Sequence, residues 1–305
     1  GHAGLRHKGG GTVDIGDGQR GELHAADQQH RHLGQHAGEV VGAVQAALRG
    51  SAGRHPDTSP DAGIYRRTTD VAARFPGRQR ANGSFYAIDF TWAELRQLRV
   101  VERFNPKTGK PVYPGRFPAG AGEFRINTFE EEVIFIQGLN KSTGRKVGIY
   151  PEVKLAAWHR QEGQDLSKAM LAVLARYGYA TKDDLCYIQC FEYAELQRLR
   201  NELGWKGRLV LLTGGKTPLL DTDEGLRGLA KVVDGIGPAL SAVAEGRQPT
   251  SLVQRAHAVG LQVHPYTLRL EALPKGFASG KEYARFLREE VKVDGYFTDF
   301  PDVAR

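Results

Sequence analysis

The chain has 305 residues, of which 40% are hydrophobic and 25% are charged, and its formal net charge is +7 at pH 7. This length suits one large α/β domain or two smaller ones, because barrels of roughly 250 residues commonly fold as single domains. No apolar stretch of about 18 residues occurs, so the sequence predicts no transmembrane helix. Basic residues are interspersed with acidic ones, which argues against nucleic-acid binding, while the mildly positive field favours anionic substrates.

The amino-terminal part of the chain differs in composition from the rest. Residues 1–63 contain no Phe, Trp or Tyr and hold seven of the ten histidines. From Tyr65 onward the composition is typical of a globular enzyme. Because large apolar side chains are so few in residues 1–63, we expect this region to pack poorly.

Residues 68–127 are rich in turns, and one short helix is predicted in them over residues 92–98. Long segments with little regular structure often carry function in compact domains. We therefore expect residues 68–127 to be an insertion that covers the mouth of a barrel, and residues 128–305 to form the barrel body.

From about residue 128 the pattern alternates between helices and strands. Thr128 and Glu131 form a capping box that begins a helix, predicted to end near Gly138. Helical spacing or caps also predict helices at 166–177, 196–203, 225–232 and 251–259, and one that Ser279 begins with Glu282 at the reciprocal position. Strands are predicted at 146–154, 185–191, 208–213, 235–238, 261–266 and 296–300. Strands that alternate with helices indicate a parallel sheet, open or closed.

The two cysteines, Cys186 and Cys190, lie four positions apart on a predicted strand. That spacing separates them by about 13 Å, which is too far for a disulfide. A zinc site of the usual kind would need further Cys ligands. The sequence therefore predicts two buried thiols.

Several predicted strands end in polar or aromatic residues. In a (β/α)₈ barrel the active site lies at the carboxyl ends of the strands, so this recurrence predicts one shared site. The residues, strand by strand, are Glu152 and Lys154, Gln189 and Phe191, His264 and Tyr266, and Thr298 and Asp299.

Glu152 and Lys154 carry the strongest chemical signal among these residues. Because side chains alternate along a strand, residues two apart point the same way. A carboxylate beside an ammonium suits a site that holds a metal ion and an anionic substrate together. The alternative is a surface ion pair on an edge strand, since charged residues are usually exposed. Asp299 is a further carboxylate that could assist a metal ion.

The segment Gly148-Ile-Tyr-Pro-Glu-Val-Lys154 and others in the same order resemble the bacterial glycerophosphodiester phosphodiesterases, especially the periplasmic branch. The resemblance extends from about residue 68 to the end. The matching segments are 69–76, 86–91, 113–118, 128–132, 148–154, 159–163, 188–191, 263–267 and 295–301.

This resemblance implies a TIM (β/α)₈ barrel of the phospholipase C-like phosphodiesterase type, with its amino-terminal strands atypical or lost. It implies hydrolysis of small-molecule glycerophosphodiesters to glycerol 3-phosphate and an alcohol, as part of glycerol and lipid metabolism. It further implies a divalent metal cofactor, usually calcium in this branch, and a periplasmic or secreted location. No signal-peptide pattern is present in the sequence.

Four site residues follow from the resemblance, position by position. Glu152 matches one of three metal-binding carboxylates, and Lys154 matches the lysine that contacts the phosphate. Phe191 and Tyr266 match positions that line the substrate pocket. Two family histidines act as general acid and base, but neither is matched here, so the catalytic residues of this chain are not identified.

Residues 1–67 depart from the family pattern. The chain contains no His-Arg-Gly, residues 1–63 contain no Glu-x-Asp, and no His-Asp precedes Thr68. Three explanations stay open: a shifted reading frame in a GC-rich gene, a diverged and inactive paralogue, or a genuine replacement of the amino-terminal strands. Two functions follow accordingly, either a phosphodiesterase or an inactive barrel that binds glycerophosphodiesters or a protein partner.

Overall fold

The structure is a computed structural model that describes residues 69–105, 107–116, 122–215 and 217–302. The strands are β1 (Arg99–Val100), β2 (Phe124–Arg125), β3 (Tyr187–Cys190), β4 (Arg208–Thr213), β5 (Gly235–Pro238), β6 (Ala244–Glu245), β7 (Gln248–Pro249) and β8 (Gln262–Val263). The α-helices are α1 (Val71–Arg74), α2 (Trp92–Leu95), α3 (Phe129–Thr143), α4 (Ala156–Gln161), α5 (Leu166–Arg176), α6 (Tyr193–Asn201), α7 (Pro218–Asp221), α8 (Asp223–Leu229), α9 (Leu240–Val243), α10 (Leu252–Ala258) and α11 (Gly280–Phe286).

The central sheet is parallel, and its strands follow one another in the order β3, β4, β5, β8. The segment before β3 extends the sheet through a parallel bridge between Glu152 and Gln189. At the other edge, the chain after β8 extends it through a parallel bridge between Leu268 and Thr298. Strand segments therefore lie side by side in chain order, without the reversal that marks a doubly wound sheet.

The sheet is strongly curled. The hydroxyl of Tyr150, on the segment before β3, hydrogen-bonds Nδ1 of His264, just after β8, at 2.9 Å. In a flat sheet these two strands would be separated by four strand spacings, or roughly 19 Å. The contact between Tyr150 and His264 shows that the sheet curves as the wall of a barrel does. This curvature agrees with the predicted series of strand–helix units.

The two faces of the sheet bury different side chains. On β3, Ile188 and Cys190 belong to the main apolar core between strands and helices. Tyr187, the residue before Ile188, belongs to a smaller cluster inside the curve, together with Tyr150 and Phe297. This alternation is the period of two that a strand imposes. The inside of the barrel is thus separated from the outer core, and only inward residues can reach its mouth.

Two of the six predicted strands have the predicted bounds, and the strand predicted at 146–154 is reduced to bridges at Ile149 and Glu152. Both cysteines are free and buried as predicted. β4 and β5 have the predicted bounds 208–213 and 235–238, and both are almost entirely buried. β3 and β8 are shorter than predicted, and the final strand is reduced to the bridge at Thr298. Burial raises the pKa of both cysteine thiols, which keeps them neutral.

The end predicted for helix α3 was wrong. The capping box at Thr128 and Glu131 is present, but the helix continues past Gly138 to Thr143. A glycine on an exposed helix surface weakens a helix without ending it. Gly144, with φ of 69°, takes the left-handed conformation that ends the helix. The side chain of Asn140 also fixes the last turn through two 2.8 Å hydrogen bonds with the backbone of Val147.

Several short elements were not predicted from the sequence. Helices α7 and α9 have four residues each, and β6 and β7 form a hairpin with two residues on each side. Pieces of this length contain too little of a helical or strand period to be recognised. The helix predicted over 92–98 is α2, and it is shorter than predicted; Thr91 and Glu94 form its capping box.

Because residues 68–127 are predicted to be an insertion, the described residues between 69 and 127 are called the inserted unit below. β1 and β2 pair antiparallel within it, and five buried apolar residues form its core: Val71, Phe85, Phe90, Leu98 and Ile126. None of the helices in the described ranges has both the length and the hydrophobicity of a membrane-spanning segment. The expectation that residues 1–63 pack poorly concerns residues outside the described ranges.

Candidate functional site

Glu152 and Lys154 lie at the carboxyl end of the segment that precedes β3. Ile149 and Val153 belong to the outer core, so alternation directs Glu152 and Lys154 to the inside of the barrel. Lys154 Nζ lies 3.5 Å from Glu152 Oε2, and the exposed fractions of the two side chains are 26% and 8%. Such a buried carboxylate argues against a surface ion pair on an edge strand.

Phe191 and Tyr266 lie at the carboxyl ends of the strands that contain β3 and β8. Their ring centroids are 6.0 Å apart with an interplanar angle of 84°, which is an edge-to-face contact. The Tyr266 hydroxyl donates a 3.0 Å hydrogen bond to the backbone oxygen of Thr213, at the end of β4. Phe191 is 37% exposed to solvent. The pair therefore presents an ordered aromatic surface at the barrel mouth.

The Glu152–Lys154 pair and the Phe191–Tyr266 pair are connected through β3. Gln189 is the register partner of Glu152, and Phe191 follows Gln189 by two residues on the same strand. The contact of Phe191 with Tyr266 then crosses the inside of the curve. All four predicted site residues consequently lie at one end of the barrel, where parallel strands of such folds form their ligand sites.

Asp299 takes a different role from that of a metal ligand. Its Oδ2 accepts hydrogen bonds from Arg116 Nη2 at 2.9 Å and from Arg269 Nε at 2.7 Å. Two guanidinium groups on one carboxylate oxygen favour an ionic link between loops over the binding of a cation. Asp299 thus joins the inserted unit to the barrel.

The described residues do not by themselves fit a calcium ion. Among them, no group of three or more His, Cys, Asp and Glu side chains is placed to hold a metal. Calcium takes six to eight oxygen ligands, of which Glu152 would supply one or two. Glu152 is thus suited to contribute to a metal site but not to form one alone.

Each of the three histidines in the described ranges has a structural partner. His159 Nδ1 donates to the backbone oxygen of Leu155 at 2.8 Å, and His257 Nε2 donates to Asp294 Oδ2 at 2.8 Å. His264 hydrogen-bonds Tyr150 inside the barrel. Burial lowers the pKa of His159 and lowers that of His264 to about 4, so both are held neutral. None of them forms an acid–base pair at the mouth.

His159 has a role that the sequence alone did not indicate. Its bond reaches the residue directly after Lys154, and Leu155 has a φ of 48°, in the left-handed region. A branched residue in that conformation requires support from its surroundings. His159 therefore steadies the turn that carries Lys154. Its only signal in the sequence was its position in the segment 159–163.

A curled parallel sheet with charged and aromatic residues gathered at its carboxyl ends is the arrangement that (β/α)₈-barrel enzymes use for their active sites. A family model for the glycerophosphoryl diester phosphodiesterase family matches residues 63–303. The glycerophosphodiester phosphodiesterase of Haemophilus influenzae is 40% identical over 266 residues, covering 77% of this chain and 73% of that protein. That of Treponema pallidum is 36% identical over 266 residues, covering 77% and 75%.

The chain belongs to the glycerophosphoryl diester phosphodiesterase family, as the sequence predicted. A crystal structure from Silicibacter pomeroyi DSS-3, described as of this family, matches with a TM-score of 0.53 at 20% identity. The match covers 74% of this chain and 72% of that one. This likeness confirms the predicted TIM-barrel fold class, and the family is one of phosphoric diester hydrolases.

Proposed function

We propose that the barrel mouth binds the phosphate of glycerophosphodiesters, with Lys154 as its cationic partner and Phe191 and Tyr266 beside the organic part of the substrate. The observation that carries this proposal is the Glu152–Lys154 pair, 3.5 Å apart and directed inside the barrel. An ammonium group attracts a phosphate as a point charge. The aromatic pair supplies apolar surface next to it.

The proposed cofactor is a divalent cation, calcium by resemblance, with Glu152 as one of its ligands. When bound, such a cation polarises the phosphate. Lys154 then has two partners, the Glu152 carboxylate and the substrate. We also propose a periplasmic or secreted location and a place in lipid metabolism, and both rest on resemblance alone.

The inserted unit is proposed to cover the mouth of the barrel. It contacts the barrel beyond the carboxyl ends of strands at both edges of the sheet. Arg80 Nη2 pairs with Glu162 Oε2 at 3.0 Å, directly after α4. Arg116 Nε pairs with Glu271 Oε1 at 2.7 Å, in the loop after β8. These contacts on the mouth side support a cover rather than a separate distant domain.

The reaction of the family adds water across the phosphodiester and releases glycerol 3-phosphate and an alcohol. One group must take a proton from the attacking water and another must give a proton to the leaving alcohol. The sequence matches neither family histidine, and the described histidines all have structural partners, so we expect very weak hydrolysis by this chain. The same observation favours the second candidate, a barrel that binds glycerophosphodiesters without cleaving them.

The test is release of glycerol 3-phosphate from glycerophosphocholine in millimolar calcium and in a chelator. This chain is compared with a version that carries a family-type amino-terminal segment. Each positioned acid or base typically contributes 10²–10⁴-fold, so we expect the restored version to be at least about 10²-fold faster. Equal turnover would mean that residues 1–63 supply the missing groups in another form.

Sequencing of the source DNA separates the explanations for residues 1–67. A shifted frame predicts that another frame encodes His-Arg-Gly and Glu-x-Asp at the family positions. If neither alternative frame encodes both motifs, the frameshift hypothesis fails, and divergence or replacement accounts for the segment.

A further inference from the structure

Gln189 is a polar residue enclosed inside the barrel wall. It lies on β3, retains 2% of its exposure, and is flanked by Ile188 and Cys190, which face the outer core. Alternation therefore directs the Gln189 side chain inward. Its register partner on the neighbouring strand is Glu152, so the two side chains project on the same side at the same height.

The amide of Gln189 is half satisfied. Its Nε2 donates to the backbone oxygen of Tyr150 at 3.4 Å, which fixes which end of the amide is the donor. Its Oε1 is fully buried and has no hydrogen-bond partner among the residues that the structure describes. A buried acceptor without a partner is unfavourable, and such a group calls for an explanation.

The chemistry of the mouth restricts what can satisfy this oxygen. An ionised phosphodiester offers acceptors only, so it would be repelled by an amide oxygen and attracted by the Lys154 ammonium. A neutral amide oxygen instead suits an O–H donor. In a glycerophosphodiester, O–H donors occur on the glycerol part. The phosphate thus suits Lys154, and the hydroxyl suits Gln189 on the adjacent strand.

We propose that Gln189 Oε1 accepts a hydrogen bond from a hydroxyl of the glycerol moiety and is a specificity-determining residue of this site. This inference rests on the proposed function, because it assumes that the phosphate lies near Lys154. A site built around a hydroxyl discriminates against ligands that lack one, since its acceptor then stays unpaired. Gln189 would thereby separate glycerol phosphates from simple alkyl phosphates.

Gln262 provides a matched control. It lies at the start of β8, and alternation places it on the inner face, since Val263 faces the outer core. Its Oε1 already accepts a 3.0 Å hydrogen bond from the Tyr187 hydroxyl. Gln262 is thus an inward amide at the opposite end of the strands, with its acceptor occupied.

The experiment measures the dissociation constants of sn-glycerol 3-phosphate and n-propyl phosphate by calorimetry, in millimolar calcium, with the full chain. The two ligands have the same carbon number and the same phosphate, but only the first has hydroxyls. We expect the full chain to bind glycerol 3-phosphate about tenfold more tightly, as one buried hydrogen bond allows. Gln189→Met should reduce this preference by about tenfold and leave propyl phosphate unaffected, whereas Gln262→Met should keep the preference.

Gln189→Asn is the second variant, should the methionine not fold. It retains an amide but withdraws it by one methylene, so it should lose the same preference; near-UV circular dichroism checks the fold of each variant. An unchanged preference in a folded Gln189 variant overturns the proposal. Equal binding of both ligands by the full chain also overturns the proposal, because it would mean that water is the partner of Oε1. The proposed phosphate site would stand in that case. Binding of neither ligand overturns the proposed function and this inference together.

Discussion

The barrel wall and the inserted unit are stabilised in different ways. The wall has a continuous apolar core, in which side chains such as Leu199 are fully buried between strands and helices. The inserted unit has a much smaller core around Leu98 and Phe90. Its contacts with the wall include three arginines that pair with carboxylates across the boundary. Its position thus depends on side chains far apart in sequence.

Arg80 illustrates this second kind of contact. Its guanidinium lies 4.6 Å from the ring centroid of Tyr86 and 5.6 Å from that of Trp158. The same group donates two 2.8 Å hydrogen bonds to Asp89 within the unit and one of 3.0 Å to Glu162 on the barrel. One side chain therefore organises the unit and docks it. We expect the wall to unfold globally and the inserted unit to open on its own.

The largest expected effect distinguishes these two modes of unfolding. Leu199→Ala, in helix α6, removes a fully buried side chain from the wall and should lower the free energy of unfolding by about 2–5 kcal/mol. Denaturant titration followed by fluorescence gives this value. Amide exchange in β3, β4 and β5 should accelerate by the corresponding factor.

Leu98→Ala is the matched substitution in the inserted unit, where Leu98 is equally buried. It should accelerate exchange in residues 69–100 and leave exchange in β3 to β5 unchanged. Acceleration in the barrel strands would contradict the separation of the two regions, because it would mean that both cores unfold as one.

The second expected effect concerns acid. Burial lowers the pKa of His264 from 6.5 to about 4, and the charge of Asp294 opposes this shift. A neutral histidine in the fold that takes up a proton on unfolding contributes stability that is present above about pH 6.5 and is lost as the pH falls toward 4. The loss is on the order of 3 kcal/mol. His264→Asn, which keeps an acceptor for Tyr150, should show a smaller decrease in unfolding free energy between pH 7 and pH 4. If the unfolding free energy falls by the same amount between pH 7 and pH 4 in the unsubstituted chain and in His264→Asn, the acid sensitivity does not come from His264.

A smaller effect is expected at the docking contacts. The guanidinium of Arg116 bonds Glu271 at 2.7 and 3.1 Å and Asp299 at 2.9 Å, and its side chain is only 16% exposed. Arg116→Met should lower the opening free energy of residues 107–116 by about 2 kcal/mol, measured by amide exchange. Arg74→Met removes an exposed ion pair with Asp70. It should change the opening free energy of residues 107–116 by less than about 0.5 kcal/mol. Equal exchange in the two variants would show that Arg116 does not anchor the unit.

The sequence predicted the wall better than the unit for a physical reason. β4 and β5 are short buried runs between turns, and the caps at Thr128 and Ser279 are local, so neighbouring residues determine them. Inward alternation likewise placed Glu152 and Lys154 on one face. The ion pairs of Arg80 and Arg116 join residues 82 and 155 positions apart, and no local pattern indicates such partners. For the same reason the unpaired oxygen of Gln189 and the use of Asp299 by two arginines appeared only in the structure.

Binding of phosphate at Lys154 is the central claim, and one measurement tests it most directly. Calorimetry of sn-glycerol 3-phosphate in millimolar calcium compares the full chain with Lys154→Met and Lys182→Met, the latter removing a lysine that pairs with Asp234 beside the start of β5. Loss of a charge-assisted contact should weaken binding to Lys154→Met by about tenfold. Lys182→Met should bind within about twofold of the full chain, since its lysine lies away from the mouth. Unchanged affinity in Lys154→Met, or equal losses in both variants, would contradict a phosphate site at the carboxyl ends of these strands.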